Sequence, residues 1–187
     1  MFEVIDMASR KSFDLRSIVY AAVCLALCIV LPFLTGSIPE IGRQFAPMHF
    51  PVLLCGFISG PVWGCVVGAV APLARNLLFG APYLYPDAVR MVAELAVYGL
   101  AAGLFYRYLP KKPFGIYVSL LSAQFFGRVA WGLMAFALSL FDKNNPFFIE
   151  MVMTATISGS LIGIAIQLLL IPPVVYAMQR AHFISKY

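Results

Sequence analysis

Charged residues are scarce in this sequence, and their scarcity indicates the class of protein. Of the 187 residues only 11% are charged, whereas 62% are hydrophobic and the mean hydropathy is +0.91. A soluble domain of this size could not bury so many apolar side chains, so the composition predicts an integral membrane protein. The 14 glycines and 13 prolines are usual for packed membrane helices.

The sequence lacks the motifs that several kinds of chemistry require. No glycine-rich loop followed by lysine and serine or threonine is present, so the chain is not expected to bind ATP in the P-loop manner. His49 and His182 are predicted on opposite sides of the membrane, and the 4 cysteines have no histidine or acid beside them, so we expect no metal and no cofactor. No basic patch with interleaved aromatics predicts a nucleic-acid partner. An intramembrane hydrolase using Glu94 with Ser122 or Ser158 has no supporting spacing, and we expect no enzyme activity.

Five apolar segments are long enough to cross a bilayer as helices at about 1.5 Å per residue; they are residues 18–35, 62–79, 88–108, 114–141 and 151–178. A sixth, residues 48–60, would span only about 20 Å of a core roughly 30 Å thick, as a short or tilted crossing or a re-entrant segment. Six crossings put eight loop lysines and arginines on the side of both termini and two on the other. The cytoplasmic side carries such an excess. The sequence therefore predicts an all-α, compact bundle of six transmembrane helices with both termini cytoplasmic.

The whole chain, residues 1–187, is interpreted as a single membrane domain. Residues 1–15 are predicted as a cytoplasmic N-terminal segment without a signal-peptide cleavage site, residues 36–47 as an outer loop and residues 179–187 as a cytoplasmic tail. Glycines at four-residue spacing predict surfaces where helices approach closely, although ordinary packing would use them equally well. They are Gly56, Gly60, Gly64 and Gly68.

Three arginines fall inside predicted spans, where a charge is costly unless it is paired, hydrated or functional: Arg75, Arg90 and Arg128. The topology places all three toward the outer end of the bundle. Asp87, Arg90 and Glu94 share one helix face at i, i+3 and i+7. For Arg90 alone, a structural ion pair with Glu94 or Asp87 stays open. The convergence of these residues at one depth favours a water-filled ligand pocket.

Aromatic and polar side chains accompany the arginines at the same predicted end. Tyr83 and Tyr85 lie between the third and fourth spans, and Trp131 follows shortly after Arg128. Aromatic belts and helix caps would explain each residue alone, but together they favour a planar, hydrogen-bonding ligand held by stacking. The predicted binding residues are His49, Arg75, Asn76, Tyr83, Tyr85, Asp87, Arg90, Glu94, Arg128 and Trp131.

Two sequence blocks and a small-residue motif resemble a known family. The blocks are PMHFPVLLCGFISGPVWGCVVGAVAPLARNLLFG and MVAELAVYGLAAGLFYRYL, and the motif is Ala22-xxx-Ala26 in the first span. Over essentially residues 15–178 the chain resembles the substrate-binding S-component of energy-coupling factor (ECF) transporters. The resemblance implies that residues 36–47 act as a lid and that substrate binds near the outer face. It also implies that the chain topples in the membrane when docked on a transmembrane coupling subunit driven by two ATPases.

The expected function is therefore high-affinity capture of a small vitamin-like or modified-nucleobase heterocycle at a bacterial or archaeal plasma membrane. Riboflavin, a pyridoxine or pyrimidine-type vitamin, pantothenate and a queuosine precursor all stay open as substrates. Ala22 and Ala26 lie one turn apart and are the expected docking stripe for the coupling subunit. The alternative is a stand-alone membrane carrier, for which six short spans without an evident repeat are a poor basis.

Overall fold

The computed structural model describes residues 15–34, 47–110, 112–141 and 161–181. Within these ranges the chain forms six α-helices and no strand, which confirms the all-helical class. The helices are α1 Leu15–Leu34, α2 His49–Ser59, α3 Pro61–Phe79, α4 Val89–Tyr108, α5 Pro113–Phe141 and α6 Leu161–Arg180, with a π-helical turn, Leu84–Ala88, before α4. All but α2 are long and apolar enough to cross a membrane. Most of the predicted N-terminal segment, lid loop and tail lies outside the described residues.

Glycine and proline set both ends of α3. Gly60 has a φ of 91°, in the left-handed region that favours glycine, and it reverses the chain after α2. Pro61 then occupies the first position of α3, where its missing N–H removes no helical hydrogen bond. At the other end Gly80 has a φ of 68°, and its N–H donates to the carbonyl of Asn76 at 2.8 Å. The local sequence therefore accounts for the start and the end of this helix.

The short helix α2 lies at the centre of the described bundle. All residues from 51 to 59 are buried, and α1, α3 and α4 each pack against it. Its 11 residues measure about 16 Å, far less than the roughly 30 Å hydrocarbon core. A helix that is apolar on every side and this short is typical of a buried core helix. Burial by neighbouring helices thus explains why this segment is both so apolar and so short.

Contacts among α2, α4 and α6 join the early part of one helix to the early part of another, or the late part to the late part. They are His49 with Glu94, Gly56 with Gly99, and Gln179 with Tyr106. Helices α2, α4 and α6 therefore run in the same direction, and the helices between them return the chain. We call the end of the bundle where α2 and α4 begin the Glu94 end, and the end where α4 finishes the Arg107 end.

Glycines bring α2 and α3 into backbone contact with α4. A Cβ at Gly56 would lie 2.5 Å from the carbonyl oxygen of Gly99, and one at Gly64 would lie 2.6 Å from the same atom. A Cβ at Gly68 would collide with the carbonyl of Leu95. Close approach is confirmed for three of the four spaced glycines, whereas Gly60 forms the turn. We call this contact the glycine seam, and its members are Gly56, Gly64, Gly68, Gly99 and Gly103.

Candidate functional site

A buried carboxylate, Glu94 on α4, is the centre of a polar cluster at the Glu94 end. Glu94 is 2% exposed, and its Oε1 lies 2.9 Å from Arg128 Nη1 on α5 and 3.5 Å from His49 Nε2 on α2. The Tyr98 hydroxyl interacts with both Glu94 and Arg128, and the Tyr98 ring meets the His49 ring edge to face at 5.1 Å between centroids. We call these four residues the Glu94 cluster. It joins three helices at one carboxylate.

Helical spacing and one glycine bring the Glu94 cluster together. Glu94 and Tyr98 are four residues apart, so they lie one turn apart on the same face of α4. Gly127 on α5 lies directly against the Tyr98 ring, because a Cβ there would be 2.8 Å from a ring carbon. This close approach brings the next residue of α5, Arg128, within reach of the carboxylate.

Arg90 lies one turn before Glu94 on α4 and faces an aromatic ring. It is 4% exposed, and its guanidinium carbon lies 5.9 Å from the centroid of the Trp131 ring on α5. A guanidinium over an indole face is attracted by the ring quadrupole. The Glu94 carboxylate contacts α5 through Arg128 and α2 through His49. Arg90 and Trp131 therefore extend the polar site toward the start of α4.

Arg75, near the end of α3, contacts α1. Its Nη1 donates to the carbonyl of Ile29 at 3.4 Å, and its guanidinium carbon lies 5.5 Å from the Phe33 ring centroid. Its described contacts thus tie α3 to α1, and its predicted ligand contact stays a prediction.

The remaining predicted site residues lie around the loop between α3 and α4. Asn76 Nδ2 donates to the carbonyl of Pro82 at 2.7 Å and holds this loop against the end of α3. Tyr83, Tyr85 and Asp87 are all exposed. The structure therefore brings His49, Arg90, Glu94, Arg128 and Trp131 together, and it places the exposed loop residues at the same end of the bundle.

A family model described as "ECF transporter, substrate-specific component" matches residues 16–175. The chain belongs to this family. No match was found among curated proteins or among solved structures. Membership makes this chain the substrate-specific membrane component of a transporter rather than an enzyme.

Several buried polar residues of this ECF component were not among the predicted site residues, and three of them make side-chain contacts between helices. One is Tyr98, and the others form a pair in which Gln124 Nε2 donates to Gln167 Oε1 at 3.0 Å, linking α5 to α6. Gln124 lies one turn before Arg128 on the same face of α5. A polar residue inside an apolar span is the signal that would have selected both glutamines. Tyr98 carries no such signal, because aromatic residues are common in membrane helices.

Within the described ranges of the ECF component, no group of three or more histidines, cysteines or acids could hold a metal ion. Cys24, Cys28 and Cys55 are buried thiols of α1 and α2, and the Cys28 thiol donates to the carbonyl of Met48 at 3.6 Å. Small polarizable side chains in such positions act as packing residues.

Proposed function

We propose that this chain captures a small vitamin-like or modified-nucleobase heterocycle with high affinity. We further propose that it delivers the heterocycle by docking on a transmembrane coupling subunit driven by two ATPases. The observation that carries the proposal is the Glu94 cluster with Arg90 and Trp131, a set of buried polar groups at one end of an apolar bundle. Ionisable groups inside a membrane are costly and are kept mainly for function. Family membership supports a substrate-specific role.

The Glu94 end is proposed to face the outside of a bacterial or archaeal cell. Arg107 in the last turn of α4 and Lys112 between α4 and α5 lie at the Arg107 end. Arg16 near the start of α1 and Arg180 at the end of α6 belong to the same end. Because basic residues concentrate on the cytoplasmic side, this distribution supports cytoplasmic termini and a site open to the exterior.

A flat, hydrogen-bonding molecule suits the side chains at this end. Trp131 offers a stacking surface, and Arg90 offers charge-assisted hydrogen bonds. His49 Nδ1 and Arg128 Nε are buried and make no hydrogen bond with any described residue, so both atoms keep hydrogen-bonding capacity that a ligand could satisfy. The proposed binding set is completed by Glu94 and by residues at the end of α3 and in the loop that follows it. These are Arg75, Asn76, Tyr83, Tyr85 and Asp87.

The purified chain alone should bind its substrate without moving it across a bilayer. The probe is the compound that co-purifies with the detergent-solubilised protein, identified by mass spectrometry. In liposomes that contain this chain alone, we expect the amount of bound compound to be proportional to the amount of protein and not to increase with time. Adding the coupling subunit, both ATPases and ATP should produce accumulation. Time-dependent uptake by the chain alone would instead favour a stand-alone carrier.

The stripe formed by Ala22 and Ala26 on α1 is proposed to dock the coupling subunit. Both residues are exposed, and their small side chains allow another helix to approach closely. Ala22→Trp or Ala26→Trp should abolish uptake by the complete transporter and leave binding to the solitary protein unchanged. Leu133→Trp is the matched control, because Leu133 is 64% exposed on α5. Uptake that survives both alanine substitutions would place the docking surface elsewhere.

A further inference from the structure

Several buried polar atoms at the contact between Glu94 and Arg128 make no hydrogen bond with any described residue. They are Glu94 Oε1, Arg128 Nε and both ring nitrogens of His49. Glu94 Oε1 lies 2.9 Å from Arg128 Nη1, so its charge is balanced, yet it accepts no hydrogen bond from a described residue. Buried polar atoms without a hydrogen bond are costly and uncommon in folded proteins. A ligand that pairs with these atoms would remove that cost.

The acceptor Glu94 Oε1 and the donor Arg128 Nε lie side by side. Nε and Nη1 belong to the same planar guanidinium, and Nη1 is the atom that contacts the carboxylate. An ionised carboxylate only accepts hydrogen bonds, whereas a guanidinium only donates them. The pair therefore offers one acceptor next to one donor, and the charges of the two side chains cancel.

We propose that the captured heterocycle has the complementary edge, with an N–H donor beside a carbonyl or ring-nitrogen acceptor. We call this feature the donor–acceptor edge. Its N–H donates to Glu94 Oε1, and its acceptor receives the N–H of Arg128 Nε. Both hydrogen bonds involve a charged protein group and belong to the stronger class. The inference rests on the proposed capture function and narrows its substrate class.

His49 adds a further polar group beside the same carboxylate. Its Nε2 lies 3.5 Å from Glu94 Oε1, and its ring meets the Tyr98 ring edge to face at 5.1 Å between centroids. A neutral imidazole carries one donor and one acceptor. Neither nitrogen makes a hydrogen bond with a described residue. A polar substituent next to the donor–acceptor edge can therefore pair with His49.

The donor–acceptor edge separates the candidate substrates. Riboflavin has a ring N–H flanked by carbonyls, a queuosine precursor has a ring N–H beside a carbonyl, and an aminopyrimidine has an amino group beside a ring nitrogen. Pyridoxine has no N–H beside an acceptor. Pantothenate has an open-chain amide, whose trans geometry directs the N–H and the C=O to opposite sides. The first three molecules therefore fit the Glu94–Arg128 contact, and the last two do not.

The first measurement is mass spectrometry of the small molecules that co-purify with the wild-type protein, with Arg128→Lys and with Arg180→Lys. Arg128→Lys keeps a positive charge beside Glu94 but removes the Nε donor. Arg180→Lys is the matched control, because Arg180 is exposed at the Arg107 end, over the Tyr176 ring. We expect a compound with a donor–acceptor edge to be enriched on the wild type and on Arg180→Lys, and depleted about tenfold or more on Arg128→Lys. Equal enrichment on Arg128→Lys would show that Nε does not bind the acceptor.

The second measurement is a titration with that compound and with a derivative in which methyl groups replace the hydrogens of the donor nitrogen. The derivative should bind the wild-type protein about 10- to 100-fold more weakly. On Glu94→Gln this difference should shrink, because the charged acceptor is gone, whereas a purely structural role of Glu94 would leave the difference unchanged. The comparison on the wild type requires no variant, so it decides the matter even where the variants do not fold.

The outcomes separate this inference from the capture function. An enriched compound without a donor–acceptor edge, or a methylated derivative that binds as tightly as its parent, would overturn the donor–acceptor edge and leave capture standing. If no compound is enriched on the wild type, capture fails and the donor–acceptor edge with it.

Discussion

Arg128→Ala should lower the stability of the solitary protein more than any other single charge removal, because it strands the buried carboxylate of Glu94. The Glu94 side chain is 3% exposed, and its Oε1 lies 2.9 Å from Arg128 Nη1. Removing one partner of a buried ion pair costs about 3 to 5 kcal/mol. Glu94→Ala should cost somewhat less, because the Arg128 side chain is 16% exposed and can reach water.

The measurement is a double-substitution cycle on thermal and denaturant unfolding in detergent, without ligand. Arg128→Ala combined with Glu94→Ala should cost clearly less than the sum of the two single changes, because the double variant leaves no unpaired charge. Arg180→Ala, at an exposed arginine, should stay within about 0.5 kcal/mol of the wild type. If the effects of the two single changes simply add, the Glu94–Arg128 pair does not stabilise the fold.

Gly99→Ala should be the most damaging small change in the glycine seam. The added Cβ would collide with the carbonyl of Gly64 in α3, which is backbone and cannot rotate away. Helices α3 and α4 would have to separate and open the core around Leu95, which is fully buried. Overpacking a well-packed core costs about 1 to 3 kcal/mol. Gly99→Leu should cost more and prevent recovery of folded protein.

The seam also sets the distance between the helices that carry the site. Helix α2 brings His49 and α4 brings Glu94, and both pack through the glycine seam. Gly99→Ala should therefore weaken retention of the co-purifying compound as well as lower the thermal midpoint. Ala177→Val is the control, because it adds side-chain volume at an exposed position of α6. It should change neither the retention of the compound nor the thermal midpoint. A Gly99→Ala protein with a wild-type midpoint would show that the helices can separate at no cost.

Local patterns in the sequence were sufficient for the helices and their order. Long apolar runs predicted five helices, and the short run before Gly60 predicted the sixth. Gly60 and Pro61 mark the turn between α2 and α3 because their backbone preferences act within a few residues. Helical periodicity likewise placed Arg90 and Glu94 on one face of α4. These features depend on neighbours in sequence, so they are readable without knowing how the helices pack.

Which side chains meet across helices was decided only by the tertiary structure. Glu94 pairs with Arg128 on α5, and Arg75 reaches a carbonyl of α1. The sequence by itself determined that a membrane bundle with buried charges would form and at which end most of them would lie. The partners depend on the rotation and spacing of each helix, which the glycine seam and the Tyr98–Gly127 contact set through backbone collisions. Such contacts join residues that are distant in sequence, so they cannot be predicted from hydropathy or helical periodicity.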